Sequence, residues 1–207
     1  MTYRTGPHMT FSLGNILSLV LESIRNPREG AATILNFAPS RDVLLQLLAL
    51  VVVLSVLFGQ AGVLVLGGGL SDGALTGPIV LSPLTASIVQ FGLLVMLVIS
   101  IHSIGRAFGG SGSFEETLLL VTWLQFILLC LQVVQLAALV LVPPIGGLVG
   151  LLSIGIFLWL LVNFVAVIHN FRSLGLVFAG VLISAFAIIF ALSLVLSMLG
   201  LAVPGSL

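Results

Sequence analysis

Long apolar runs, separated by short polar or glycine-rich stretches, fill most of this chain from residue 43 onward. Each run is long enough to cross the hydrocarbon core of a bilayer, which takes about 20 residues of α-helix. The pattern predicts an all-α membrane protein, a bundle of five transmembrane helices over residues 43–200. The predicted spans cover about 43–66, 84–104, 117–142, 148–168 and 174–199.

A different pattern precedes the spans, with apolar residues at the three-and-four spacing of one helical face. These residues are Leu13, Ile16, Leu17, Val20, Leu21 and Ile24. The opposite face is polar but close to neutral, and it carries Asn15, Ser18, Glu22 and Ser23. The spacing predicts an amphipathic helix that lies in the lipid interface. Asn26 and Pro27, as N-cap and first helical residue, predict a second short helix after it.

We interpret residues 12–42 as cytoplasmic amphipathic helices, 1–11 as a disordered N-terminus and 201–207 as an outer tail. Met9 is an alternative native start to Met1. Within the bundle, the sequence from Ser113 to Glu116 has the form of a capping box and predicts the start of the third span. Residues 143–147, Pro-Pro-Ile-Gly-Gly, are interpreted as a tight uncharged hairpin before the fourth span.

The arginines fall only in alternate connections between the predicted spans. They are Arg4, Arg25, Arg28, Arg41, Arg106 and Arg172. Positive residues are enriched in cytoplasmic loops, so this distribution predicts a cytoplasmic N-terminus and, with five spans, a C-terminus outside. We expect an integral protein of the bacterial cytoplasmic (inner) membrane.

Composition supports the membrane assignment and excludes several classes of function. The 207 residues are 60% hydrophobic and only 6% charged, far below the charge of a soluble domain. Net charge is zero and no basic run exists, which argues against nucleic-acid binding. The single Cys130 excludes an intrachain disulfide and a multi-cysteine metal site. No catalytic, metal or cofactor signature is present, so we expect no enzyme and no cofactor.

Polar residues at the cytoplasmic ends of the spans form one candidate site. Its members are His102, Arg106, Glu115, Glu116, His169, Asn170 and Arg172. The functional hypothesis is a docking surface or a proton-coupled site. The alternative is ordinary boundary chemistry, with arginines reaching the headgroups and glutamates at a helix N-terminus.

A second candidate set lies inside the third span. Thr122, Gln125, Gln132 and Gln135 fall within about 140° of one another on a helix of 3.6 residues per turn. Polar side chains are costly in a bilayer, so this stripe should face other helices. It predicts hydrogen-bonded packing of the bundle, or else a path for a polar substrate.

The chain resembles bacterial members of the YIP family, the Ypt/Rab-interacting membrane proteins. The resemblance rests on the five-span plan, the stretch Gly-Gly-Ser-Gly-Ser-Phe-Glu-Glu-Thr at 109–117, and the Pro-Pro and His-Asn-Phe-Arg turns. For eukaryotic members it implies binding of prenylated Rab GTPases and a role in membrane trafficking. The Leu-Tyr-Gly-Pro motif of those members is absent here, and Tyr3 is the only tyrosine.

The leading functional hypothesis is a non-enzymatic polytopic protein that organises membrane, or binds partner proteins, through its cytoplasmic face. Membrane lipids are expected partners, together with a membrane protein or a second copy of the chain. Two alternatives remain: a small-solute or proton-coupled transporter, and an accessory subunit of a larger membrane complex.

Overall fold

The computed structural model describes residues 13–65 and 82–198, and all of its regular elements in those ranges are α-helices. In chain order they are α1 (Leu13–Arg25), α2 (Pro27–Leu35), α3 (Arg41–Val65), α4 (Pro83–Ala107), α5 (Phe114–Leu141), α6 (Pro143–Ile168) and α7 (Leu174–Met198). The predicted N-terminal segment 1–11 and the predicted tail 201–207 lie outside the described residues. The all-helical prediction is confirmed for the described part of the chain.

Among the described residues, α3, α4, α5 and α6 are long and apolar enough to cross a membrane. In the last helix, α7, the apolar stretch Leu174–Ala187 is shorter than these four spans and is not counted among them. The protein is therefore an integral membrane bundle with at least these four candidate spans. Assignment of α7 as a fifth span remains a prediction.

Local chemistry sets the first residue of several helices. Ser82 caps α4, accepting a hydrogen bond from the Thr85 amide at 3.2 Å, and Pro83 is the first helical residue. Ser113 and Glu116 form the predicted capping box of α5, with reciprocal bonds of 3.1 and 2.7 Å. Asn26 occupies the N-cap position of α2, but its side chain makes no capping hydrogen bond.

The connection between α5 and α6 is shorter than the predicted hairpin. Val142 is the single residue between them, and α6 begins at Pro143 rather than at about 148. Proline suits the first turn of a helix, because its fixed φ is helical and the missing amide has no partner there. Gly146 packs directly against the Leu139 side chain, which lets the two helices turn back closely.

Helix α5 is the centre of the bundle and packs against α3, α4 and α6. One buried apolar cluster joins α3, α4 and α5, and it contains Leu44, Leu48, Val52, Val98, Leu118 and Val121. A second cluster joins α5 to α6 and also includes residues of α1, α2 and α7. Val20, Ala31 and Ile34 bring the two short helices into that second cluster. The N-terminal helices are thus packed onto the bundle.

The contact between α1 and the bundle depends on a polar side chain. Ser23 is fully buried, and its Oγ accepts a hydrogen bond from Trp123 Nε1 at 3.1 Å. The sequence pattern places Ser23 on the polar face of α1 with Asn15, Ser18 and Glu22, whereas the structure buries it. The indole N–H of the half-buried Trp123 needs an acceptor where it faces the protein, and Ser23 supplies it at the edge of the apolar face.

Most of the arginines lie at one end of the bundle, which we call the arginine end: the starts of α3, α5 and α7 and the ends of α4 and α6. The Arg41 guanidinium carbon lies 4.7 Å from the centre of the Phe114 ring, which joins the starts of α3 and α5. Arg106 lies in the last turn of α4, and Arg172 lies between α6 and α7. Helix α2, which begins next to Arg25 and contains Arg28, packs on α5 and α6.

A substitution at Gly30 tests the packing of α1 on α2. A Cβ at this position would lie 2.7 Å from Ser23 Cα, which is backbone and cannot rotate away. We expect Gly30→Ala to destabilise the α1–α2 unit by about 1–3 kcal/mol, the usual cost of overpacking. Hydrogen exchange of residues 13–35 should become faster.

The control is Gly92→Ala in α4, where an added Cβ has nothing within 4 Å. It should leave exchange in residues 13–35 unchanged and be neutral or slightly stabilising, because alanine favours helix. Equal exchange in the two variants would contradict the packing described here.

Candidate functional site at the arginine end

The turn between α4 and α5 packs on the turn between α6 and α7 through His169. The His169 ring is 2% exposed and contacts both Gly105 and Gly110, so closely that a Cβ at either glycine would overlap it. Its other neighbour is the Phe171 ring, stacked at a centroid distance of 5.6 Å. The glycines at 105 and 110 are therefore required by the space that this ring occupies.

The two nitrogens of His169 have different surroundings. Nδ1 lies 3.2 Å from the Val165 carbonyl oxygen, so Nδ1–H donates to it, while Nε2 is buried without a hydrogen-bond partner. Burial lowers the pKa of His169, and the neighbouring His102 lowers it further; the Val165 carbonyl and Glu116 act in the opposite direction. The imidazole is therefore held in its neutral form.

Asn170 connects the two turns next to His169. Its backbone has a φ of 57°, a left-handed conformation that asparagine tolerates better than most residues. From this position the side-chain amide Nδ2 donates to Ser111 Oγ at 2.9 Å. The glycine and serine stretch after α4 is thus tied to the end of α6.

His102 and Phe114 extend the contact towards α3. Their rings meet edge to face at 6.1 Å, and the Arg41 guanidinium lies over Phe114. His102 Nδ1 is buried and, like His169 Nε2, has no hydrogen-bond partner. Both histidines of the candidate site thus carry an unpaired buried nitrogen.

The structure divides the predicted polar cluster into two groups. His102, Glu116, His169 and Asn170 meet where the two turns pack, directly or through Gly105 and Ser111. Arg106, Glu115 and Arg172 are exposed, as are Glu116 and Asn170, but within the described ranges no hydrogen bond or ion pair joins these three to the rest of the cluster. The role of the cluster remains a proposal.

The predicted stripe inside α5 also divides. Gln125 Nε2 donates to Ser55 Oγ at 3.2 Å and Gln132 Nε2 donates to the Ser55 carbonyl oxygen at 2.9 Å, both towards α3. Gln135 instead lies against Gly150 of α6, and Thr122 bonds the Leu118 carbonyl of its own helix. These amides link α5 to both neighbouring spans.

Several residues that shape the site were not singled out by sequence reasoning. Ser111 was noted only as part of a glycine and serine turn, and Phe114 only as a position in the capping box. The Trp123–Ser23 bond and the buried Asn163, which donates to the Trp159 carbonyl at 2.8 Å, were also missed. An indole and a primary amide inside apolar runs are signals that could have indicated them.

A surface cavity of about 360 Å³ lies beside Asn170. It is formed between α2, the α4–α5 turn, the start of α5 and the end of α6. Its lining residues are Ala32, Leu35, Ser111, Glu116, Val167, Ile168 and Asn170. Two of them, Glu116 and Asn170, belong to the predicted polar cluster. In the described part of the chain, no group of three or more potential ligands for a metal ion is found.

The comparison with known families decides the assignment. The family model of the Yip1 domain matches residues 21–196, most of the chain and every span described above. The chain belongs to the Yip1 family. The search of curated proteins and the search of solved structures found no match.

The family assignment agrees with the resemblance drawn from the turns and the spans. Yip1 proteins are associated with membrane trafficking and are not known as enzymes. The apolar helices of this Yip1 family member would contact lipid in a membrane, and proteins of the family interact with partner proteins. The match begins at residue 21 and therefore includes α2 and the last five residues of α1, so α2 and the end of α1 belong to the domain.

The lowered pKa of His169 predicts a loss of stability in mild acid. Below the ordinary histidine pKa of about 6.5, the unfolded chain takes up a proton that the folded chain does not. The free energy of unfolding should therefore fall as the pH drops from about 6.5 towards the lower pKa of the folded protein, with a slope of about 1.4 kcal/mol per pH unit. Melting temperatures measured in detergent between pH 7.5 and 5 should follow this fall.

The matched variant is His169→Phe, which keeps a stacking ring and removes the titrating group. The other ionisable groups are present in both proteins, so the difference between the two pH profiles reports His169 together with its coupling to His102 and Glu116. A wild-type profile parallel to that of the variant would contradict the assignment.

Proposed function

We propose that this Yip1 family protein is a non-enzymatic scaffold that organises membrane, or binds partner proteins, through its arginine end, which faces the cytoplasm. The single observation that carries the proposal is the arrangement of α1. This helix is packed on the bundle by one edge and presents an apolar edge and a polar edge beside it.

The three edges of α1 are distinct. Val20 and Ser23 are buried against the bundle. Leu17 and Leu21 are 54% and 56% exposed and lie within about 100° of Val20 around the helix. Ser18 and Glu22 are exposed on the far side. Such a division suits a helix in the plane of the interface, with leucines in the acyl region and polar residues in water.

The length of α5 supports the placement of α1 at the boundary between the hydrocarbon core and the headgroups. Its 28 residues make a helix of about 42 Å, whereas the hydrocarbon core is about 30 Å thick. Val140 and Leu141, at the far end, are exposed and apolar, which favours placing the surplus length at the arginine end. Trp123, which bonds α1, lies about 13 Å from the start of α5. It would then stand close to the boundary of the hydrocarbon.

The positive-inside rule supports the orientation. Arg41, Arg106 and Arg172 share one end of the bundle with α2, and that end would be cytoplasmic. Helix α7, with 25 residues, is about 37 Å long and would serve as the fifth span, carrying the C-terminus outside. We propose the bacterial cytoplasmic membrane as its location.

The observed contacts favour the scaffold over the transporter alternative. A substrate path would need Gln125 and Gln132 to be available, whereas both amides bond Ser55 between α3 and α5. The accessory-subunit alternative shares its basis with the scaffold, because both require a partner. Helix α7 packs mainly on α6, and its exposed Leu176, Ile183 and Phe186 would face lipid or such a partner.

Environment-sensitive labels on α1 test the proposed depth. In a Cys130→Ala background, single cysteines at 17, 18, 21 and 22 carry the same fluorophore, and the full chain is reconstituted in vesicles. We expect blue-shifted emission and strong quenching by lipid-borne quenchers at 17 and 21. Positions 18 and 22 on the same helix are the matched controls, and they should behave as in water.

Equal emission at all four positions would overturn the interfacial placement of α1. Measurement in detergent, where no bilayer plane exists, should reduce the contrast between the two pairs of positions. A contrast that persists unchanged there would show that the labels report contact with the protein and not with lipid.

A reporter fusion tests the orientation. A reporter that is active only in the cytoplasm, fused after Leu207, should give no signal, because five spans place the C-terminus outside. The same reporter fused before Met1 should be active. A strong signal from the C-terminal fusion would contradict the five-span arrangement.

A further inference from the structure

We propose that the cavity between α2, the α4–α5 turn and the end of α6 binds the primary ammonium headgroup of an aminophospholipid from the inner leaflet. This inference rests on the proposed function, because it requires the arginine end to lie at the level of the headgroups. It goes further by naming the chemical class of the ligand and the residues that select it.

The polar wall of the cavity offers acceptors. Glu116 uses Oε2 to accept from the Ser113 amide, and its Oε1 makes no hydrogen bond to the described residues. Asn170 uses Nδ2 to donate to Ser111, which leaves its Oδ1 available. No lining residue carries a positive charge. This wall therefore complements a group with several N–H donors and a positive charge.

The acceptors are held in place before any ligand arrives. The capping box fixes Glu116, and the left-handed backbone of Asn170 together with its bond to Ser111 fixes the amide. His169 packs the two turns together directly beside them. A site whose groups are already oriented loses less conformational entropy on binding.

The remaining lining residues are apolar: Ala32, Leu35, Val167 and Ile168. They suit the methylene and glycerol carbons of a lipid headgroup. Arg28 lies one turn before Ala32 on the same face of α2, at the i and i+4 spacing, and it is exposed. A guanidinium at this rim would complement the phosphate that follows the ammonium group.

The arrangement distinguishes between headgroups. The primary ammonium of phosphatidylethanolamine can donate to Glu116, Asn170 and Ser111 together. The quaternary ammonium of phosphatidylcholine has no N–H and is larger. The anionic phosphatidylglycerol would place no positive charge next to Glu116. The volume of about 360 Å³ lies within the range of small-ligand sites.

Lipid retention by the full chain tests the site. The delipidated protein in detergent is mixed with equal amounts of phosphatidylethanolamine, phosphatidylcholine and phosphatidylglycerol with identical acyl chains, and bound lipid is counted by native mass spectrometry. We expect the wild-type protein to prefer phosphatidylethanolamine by about tenfold, the effect of one charge-assisted hydrogen bond.

Glu116→Gln is the informative variant. Glutamine at the third helical position also completes a capping box, so α5 should begin normally while the negative charge is lost. In this variant, retention of phosphatidylethanolamine should fall to the level of phosphatidylcholine. Glu115→Gln, an exposed neighbour outside the cavity, is the matched control and should keep the preference. Asn170→Gly suits the φ of 57° and should weaken the preference.

Equal retention of the three lipids by the wild-type protein would overturn the proposal, as would a preference for phosphatidylglycerol. The same preference in Glu116→Gln as in Glu115→Gln would overturn it too. These results are independent of the labels on α1. If the lipids are retained equally while the labels at positions 17 and 21 report insertion into lipid, only the headgroup site is overturned. If the labels at positions 17 and 21 report water, the interfacial role of α1 is overturned.

Discussion

The His169 ring lies between Gly105 and Gly110, and this contact holds the arginine end together. It brings the turn after α4 against the turn after α6, although these turns are far apart in the sequence. Asn170 can then reach Ser111, and the start of α5 is positioned beside both turns. A side chain on either glycine would separate the turns, and with them the walls of the cavity. Close packing, more than charge pairing, organises this surface.

Polar groups inside the bundle obey the constraint that hydrocarbon supplies no hydrogen-bond partners. Ser55 accepts hydrogen bonds from two glutamines of α5, one at its hydroxyl and one at its backbone carbonyl. Ser23 of α1 likewise accepts a hydrogen bond from the Trp123 indole. These contacts fix which face of α5 meets α3 and which meets the N-terminal helices. Among the described residues, the exceptions are His102 Nδ1 and His169 Nε2, buried without partners at the arginine end.

The arginine end is also where the proposed activities of the protein converge. Helix α1 presents Leu17 and Leu21 beside the bundle, and α2 forms one wall of the cavity with Ala32 and Leu35. A helix that lies in the interface and a site for a lipid headgroup would act on the same leaflet. Membership of the Yip1 family, whose proteins are associated with membrane trafficking, agrees with a function exercised at a membrane surface.

The sequence by itself determined the elements whose signals are local. Apolar length defined the candidate spans, the Ser113–Glu116 pattern defined the start of α5, and the alternate arginines defined one end of the bundle. Tertiary structure decided what depends on residues distant in the chain. Ser23 reads as a polar outward position on its own helix, and only the approach of Trp123 makes it a buried acceptor. Gly110 lies in the glycine and serine stretch noted in the sequence and Gly105 lies near the end of α4, and only the position of the His169 ring shows why no side chain fits at either residue. Helical periodicity reports one face of one helix, whereas a contact between two helices depends on how both are placed.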